Sequence, residues 1–393
     1  MRVTHIITRL VIGGAQENTL ATIRGLRAKP DLDVKLISGP TLGPEGSLEN
    51  TARNIFADAA ETDFTIVPEL VRPVHPLKDF RALRQLENTL REQKPDLVHT
   101  HSSKAGILGR MAAKRAGVPL ILHHIHGPSF GNFQGALANF IFTAAERHAA
   151  KVTDHFIVVA EAMKQRYLAA GIGRPENYTK IYSGFALDPF LAVQPERELR
   201  RQLGFAPDDF VIGQIARLVP RKGHADLFAA FKKMLPACPR ARLLLVGGGG
   251  LRTELATLAQ TLGLTDKIIF AGLVPPDEVP RLLGVMDCLA HLSSFPEGLP
   301  RALPQALAAG KPVVAYDFDG ADEVCIENQT GFLIRTGDTD RAAEKLLQLA
   351  GDPGLRQKLG RAGTALVQDN FSVEKMVADQ YQLYLKLRAQ RPQ

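Results

Sequence analysis

Cysteine, aromatic residues and long apolar runs are all scarce in this 393-residue chain, and each shortage closes off a class of protein. The three cysteines, Cys238, Cys288 and Cys325, are far apart and lack CxxC spacing. That excludes a disulfide framework and a zinc ribbon and predicts buried free thiols. Aromatics make up 6% of residues, and no RNP-like aromatic motif, zinc finger or helix-turn-helix signal is present, so no nucleic acid is expected as a partner. No stretch approaches the roughly 18 to 20 consecutive apolar residues of a membrane span. The opening MRVTHIITRLVIGGAQ has no longer apolar core followed by a small-residue cleavage site. It reads as a first β-strand, and a cytoplasmic location is expected.

What is present describes a globular chain too long for one core. Hydrophobic residues are 45% and charged residues 23%, and two domains of about 190 residues each are the natural division. The net charge of +7 favours anionic partners. Much of the excess lies in residues 72–115, with ten Lys or Arg against four acids. Such a run is ordinarily a solvated helix face, and otherwise a surface for an acceptor or an anionic membrane.

Short β-branched runs alternate with amphipathic stretches, the pattern of parallel sheets covered by helices. Strands are predicted at 3–8, 33–38, 96–101, 119–125 and 155–160, then at 210–216, 241–247, 267–272, 288–293 and 312–317. The pattern stops between 182 and 205, where Pro189 and Pro195 appear. This predicts an α/β fold with domains at 1–190 and 191–365, and a terminal helix at 366–393 that could cross back to the first domain.

In such sheets ligands bind beyond the carboxyl ends of the strands, so the residues following each strand are the candidates. Gly13 and Gly14 follow the first strand and let a ligand approach the backbone at a helix start. Arg217 and Lys222 flank a turn into a helix, a pairing suited to a diphosphate. VGGGGLRTEL is a tight glycine turn and a poor fit to a dinucleotide fingerprint. In SSFPEGLPRALPQALAAGKP, Pro300 and Pro304 put the helix start part way through, with Glu297 in the loop before it and Gln305 inside it.

Taken in order, IGGAQ (12–16), HTHSSKAGILGRMAAKRAGVP (99–119), HHIHG (123–127), ARLVPRKG (216–223), LLLVGGGG (243–250), FAGLV (270–274), the 293–315 stretch and GFLI (331–334) resemble the retaining glycosyltransferases of family 4, glycosyl transferases group 1. The resemblance spans essentially the whole chain. It implies the GT-B architecture, two facing Rossmann-like domains with a central cleft, and transfer of a sugar from a nucleoside-diphosphate donor, UDP being commoner among relatives, to a glycan or lipid-linked acceptor. Carried onto this sequence, it implies that Arg217 and Lys222 hold the diphosphate and that Gly13 and Gly14 approach donor and acceptor. Glu297 would bind sugar hydroxyls beside the backbone of Gly298 and Leu299, and His126 would contact the sugar near the reacting carbon. Family members usually carry a second glutamate where this chain has Gln305, which is expected to remain a ribose contact through its amide. The resemblance further implies retention without a metal or other cofactor, the donor's phosphate oxygen receiving the acceptor's proton.

Two places in the sequence have residues that could suggest a metal. Asp317 and Asp319 have DxD spacing but follow a strand in the motif region where the family has a loop near the donor. His99, His101, His123, His124 and His126 cluster in sequence, and strand alternation puts His99 with His101, and His124 with His126, on common faces. Their spacing matches no closed metal site. Two other functions remain open at this point: a sugar-nucleotide epimerase of GT-B shape, which would need acid/base groups poised on the sugar, and a non-catalytic protein binding anionic ligands through the 72–115 segment. The apolar stretch 129–142 reads as a core helix, or else as a dock for an acceptor or membrane.

Overall fold

The computed structural model describes residues 1–41, 46–58, 60 and 63–391; the last two residues of the terminal helix expected at 366–393 lie outside them. The chain divides into two compact units, Met1–Phe185 with Val373–Gln393, and Ala186–Ser372.

The first unit is built on a seven-stranded parallel sheet: β1 (Arg2–Ile7), β2 (Asp33–Ser38), β3 (Phe64–Ile66), β4 (Leu97–His101), β5 (Leu120–Ile125), β6 (His155–Val158) and β7 (Tyr178–Lys180). Their order is β3-β2-β1-β4-β5-β6-β7. The second unit has six parallel strands, β8 (Phe210–Ile215), β9 (Ala241–Val246), β10 (Ile268–Gly272), β11 (Cys288–His291), β12 (Val313–Tyr316) and β13 (Gly331–Ile334). Here the order is β10-β9-β8-β11-β12-β13. All ten predicted strands form. Three more, β3, β7 and β13, add to them.

Each sheet is wound outward in both directions from one pair of neighbours, β1 and β4 in the first, β8 and β11 in the second. Successive loops leave these pairs toward opposite faces, which opens a crevice at their carboxyl ends.

Side chains alternate across the first sheet. One face, carrying Val3, Ile7, Leu97, Leu120 and Leu122, packs beneath the helices Gly14–Arg27 and Val373–Ala389; the other, with Ile6, Val98 and Ile121, packs beneath Pro76–Gln93 and Ser103–Arg115. Gly106 brings Ser103–Arg115 down onto the sheet: a Cβ there would lie 2.4 Å from the His123 ring. The terminal helix is tied in by polar contacts as well. The Met376 sulfur accepts from Asn18 Nδ2 at 2.9 Å, and Tyr384 Oη lies 2.5 Å from His99 Nδ1.

Arg110 belongs to the basic 72–115 run but is not on its surface. Its side chain is fully buried, paired with Glu146 at 2.6 Å and donating from Nε to the Gly106 carbonyl at 2.7 Å. Ser129 Oγ satisfies the other Glu146 oxygen at 2.9 Å. Cys288 and Cys325 are buried free thiols, whereas Cys238 is half-buried. Removing one partner of a buried pair strands the other charge. Arg110→Ala is therefore expected to lower unfolding free energy by about 3–5 kcal/mol in urea titrations, while truncation of the exposed Arg84 should change it by less than about 0.5 kcal/mol.

Candidate functional site

In the second unit the crevice side chains come from the two central strands. The loop after β8 carries Arg217 and Lys222 into the helix His224–Met234, and β11 runs through His291 into Ser293 and Glu297. Close backbone packing sets the first loop. Gly223, at φ 76°, has the Leu292 carbonyl where a Cβ would stand, and Arg221 donates from Nη2 to the Ser294 carbonyl at 2.6 Å. The turn is further held by Gln214 Nε2, which donates to the Lys222 carbonyl at 2.8 Å.

This geometry places the Lys222 ammonium directly on Glu297 Oε2, with Phe295 beneath it at 5.0 Å from the ring centre. Lys222 is nearly fully buried. The other Glu297 oxygen is 3.2 Å from Ser293 Oγ and 3.4 Å from His291 Nε2. Burial pushes the Glu297 carboxyl up, but His291 and Lys222 outweigh it and hold the group at about 2. For Lys222, burial lowers the ammonium despite Glu297, and the nearby charge of Arg217 adds to the lowering. His224, at the start of the following helix, falls to about 4 through burial and the charges of Lys222 and His291.

Arg217 is exposed and, among the described residues, has no carboxylate or ring partner. The pair Arg217 and Lys222 thus differs sharply: one is an open cation, the other a buried one already answered. The tetraglycine after β9 supports the Arg217 loop through its backbone. Leu218 N donates to the Gly248 carbonyl at 2.8 Å, and a Cβ on Gly247 would lie 2.0 Å from the Ala216 carbonyl oxygen.

Asp319 takes a part that spacing alone did not show. Its carboxylate accepts from the backbone N–H of Glu297 at 2.7 Å and of Gly298 at 3.1 Å, while Gly320 N donates to the Gly298 carbonyl at 2.8 Å. The Gly298 N–H is accordingly committed to the protein. Leu299 is half-buried beside it. The helix begins at Ala302, so Glu297 stands in the preceding loop and Gln305 within Ala302–Ala308. Gln305 is half-buried, and its side-chain amide has no protein partner among the described residues.

In the first unit, Gly13 and Gly14 start the helix Gly14–Arg27 with no side-chain cap. Gly13 has φ 171°, extended backbone open to any residue, so the glycine is not required by conformation. Across the β1/β4 switch, Thr8 Oγ1 and Ser102 Oγ meet at 2.7 Å, and Ala105 N donates to Thr8 Oγ1 at 3.0 Å.

His126 stands half-buried just past β5 and is not alone. His101 Nδ1 lies 3.0 Å from His126 Nε2, and His101 Nε2 lies 2.9 Å from His5 Nδ1. His99 and His124 complete the group, their rings 5.6 Å apart and parallel within 4°. Burial lowers every one of these imidazoles, His5 and His126 to about 3. Alternation predicted the pairs on β4 and β5; it did not bring in His5, which pairs with His99 across β1 and β4. His123 points to the opposite face, its Nδ1 2.9 Å from Thr100 Oγ1.

Two parallel-sheet domains of Rossmann type define the class as GT-B. The chain belongs to the glycosyl transferases group 1, family 4: the model of that name matches residues 195–366, and the glycosyl transferase 4-like domain matches 13–184. It is thus a glycosyltransferase, which sets aside the epimerase and the binding protein. The chain is 27% identical to an Escherichia coli UDP-Gal:alpha-D-GlcNAc-diphosphoundecaprenol alpha-1,3-galactosyltransferase, over 98% of this chain and 97% of the relative. It is 28% identical to a Corynebacterium glutamicum GDP-mannose-dependent monoacylated alpha-(1-6)-phosphatidylinositol monomannoside mannosyltransferase, over 73% of this chain and 75% of the relative. Among solved structures, Anabaena HepE in complex with UDP superposes with TM-score 0.82 at 23% identity, covering 98% of this chain and 100% of that one.

The Glu297 carboxyl sits at about 2 against an ordinary 4.5, so its contribution to stability is complete above about 4.5 and lost as pH falls toward 2. Glu297→Gln is expected to cost about 1.5–3 kcal/mol at pH 7. The gap from the parent protein should narrow progressively below pH 4.5 in a series of urea midpoints.

Proposed function

We propose that this glycosyltransferase takes a hexose from a UDP-sugar and passes it, with retention and without a metal, to a lipid-linked glycan at a membrane surface. The observation that carries the donor half is the pairing of an open cation, Arg217, with the buried Lys222–Glu297 ion pair at the β8/β11 switch. A departing nucleoside diphosphate gains negative charge as the sugar carbon becomes oxocarbenium-like. Cations fixed before the reaction stabilise that charge without reorganising.

Arg217 provides the diphosphate's first contact, and Lys222 shares its ammonium between Glu297 and the phosphates. Glu297, ionised at any physiological pH, accepts from sugar hydroxyls. Gln305 offers both an acceptor and a donor to the ribose. Gly13 and Gly14 let the ligand approach the start of the helix Gly14–Arg27, and His126, neutral, donates or accepts one hydrogen bond to the sugar. In the transfer, the bond from the anomeric carbon to the phosphate oxygen breaks as the acceptor hydroxyl attacks the same face. Its proton passes to the leaving phosphate oxygen. UDP is favoured because the relative that matches nearly the whole chain is named for UDP-Gal, and HepE was solved with UDP and with UDP-glucose.

The acceptor half rests on the surface of the first unit. No helix of the described residues is long and apolar enough to cross a membrane. Leu77 and Phe80, more than half exposed, project at the start of Pro76–Gln93 among the exposed Lys78, Arg81 and Arg84. Leu137, Phe140 and Ile141 are exposed at the start of Ala136–Ala150. In parallel βαβ units helices return antiparallel to the strands, so these helix starts lie toward the carboxyl-end edge where ligands bind. Apolar side chains ringed by cations suit the headgroup boundary of an anionic bilayer.

Thermal shift with UDP is expected to persist in EDTA. Arg217→Ala should weaken UDP binding about 10-fold or more, one lost charge-assisted bond, and Gln305→Ala by about 2- to 10-fold. Unchanged affinity in both variants would remove the proposed donor site. Sedimentation with phosphatidylglycerol vesicles should fall about tenfold in Leu77→Ser plus Phe80→Ser, with UDP affinity intact. Equal sedimentation of parent and variant would move the acceptor surface elsewhere.

A further inference from the structure

The histidine cluster of the first unit exceeds what sugar binding uses. On the face beneath Gly14–Arg27 and Val373–Ala389, β1 reads Val3, His5, Ile7, and β4 reads Leu97, His99, His101. Imidazoles thus occupy positions that the rest of this face gives to aliphatic side chains. His5, His99 and His101 are fully buried. Each offers one ring nitrogen, and these nitrogens all lie within 4.8 Å of one another.

Of those rings, His99 has a buried nitrogen that no protein group answers, Nε2. A buried polar atom left unmet is destabilising, and aliphatic residues would fill this core without that cost. We propose that His5, His99 and His101 form a site for one imidazole-preferring divalent transition metal ion, with Zn²⁺ as its natural occupant. The chemistry of the donors agrees, because neutral imidazole is the form that coordinates and imidazole sets suit Zn²⁺, Ni²⁺ and Cu²⁺.

The geometry needs little adjustment. Tetrahedral zinc with bonds near 2.0–2.1 Å separates its nitrogens by about 3.3 Å. His5 Nδ1 and His101 Nε2 already stand 2.9 Å apart, and ring rotation closes the wider gap. His99 also has an outer partner of the kind that fixes ligand histidines: Tyr384 Oη, 2.5 Å from Nδ1, orients the ring and leaves Nε2 for the ion. The fourth position would be taken by a bound water, on the side of the triad where His126 borders His101. The ion would link β1 and β4 to the terminal helix through Tyr384, and its role is structural. His126 lies outside the triad and keeps its place at the sugar.

The test uses the full chain stripped of metal and titrated with Zn²⁺ and with Co²⁺ as a spectroscopic probe, so it does not depend on the donor reading. One ion per chain should survive gel filtration, the melting temperature should rise, and Co²⁺ should give a visible ligand-field spectrum. His99→Gln is expected to weaken Zn²⁺ binding about 100-fold and Tyr384→Phe about 10-fold; exchange of the exposed His75 and His148 for Gln should change nothing. Tyr384→Phe keeps the core volume, so it remains informative if His99→Gln fails to fold. Failure of the parent to retain an ion overturns the site, as does equal affinity in Tyr384→Phe and His99→Gln. Loss of binding in His124→Gln with none in His5→Gln would also overturn it, by placing the ion in the neighbouring His101, His124, His126 group.

Discussion

A lysine ammonium with almost no access to water must have its charge answered by the protein, and the organisation of the second unit around β8 and β11 follows from that need. Lys222 is answered by Glu297, whose carboxylate would itself be costly to bury without His291 and Ser293. The loop bearing Glu297 is in turn fastened by Asp319, which takes up two of its backbone N–H groups. A chain of obligations therefore runs from one buried cation to a turn nearly a hundred residues later. Because each link is short and charged, the site is rigid before any ligand arrives, which is what transition-state stabilisation by fixed charges requires.

The first unit handles buried polarity in a different currency. Its sheet is covered on one side through an arginine–glutamate pair in which all three guanidinium nitrogens and both carboxylate oxygens are hydrogen-bonded, and on the other through imidazoles that burial keeps neutral. Neutral rings avoid the desolvation penalty of ions, yet they carry nitrogens that still ask for partners. The contrast explains why the Arg110 network is a finished stabilising element, whereas the histidine layer retains capacity to bind something.

Much of the architecture was legible because doubly wound sheets write long apolar strands and glycine turns into the sequence. The three strands not foreseen are β3, β7 and β13, of three or four residues. Each is the outermost strand at one edge of its sheet, paired on one side only. Glu297 and Gln305 were placed correctly relative to the helix start because two prolines mark it. What could not be read was the depth of charged groups. Arg110 looked like surface because its partner Glu146 stands 36 residues away, and His5 looked unrelated to the later histidines because only strand register joins them. Asp319 suggested a metal pair by spacing, while its actual work is to accept two amides.

The terminal helix has a consequence for synthesis. The second unit is one continuous segment, Ala186–Ser372, whereas the first is completed by Val373 onward. During translation the sheet bearing His5, His99 and the aliphatic side chains around them must wait, that face covered only in part, by Gly14–Arg27, until a whole second domain has been made and residues 373–389 emerge. The nascent first unit is thus an unfinished sandwich for the longest part of its production. Its polar histidine layer, set among the aliphatic side chains of that face, makes the waiting surface less adhesive than an all-apolar one would be.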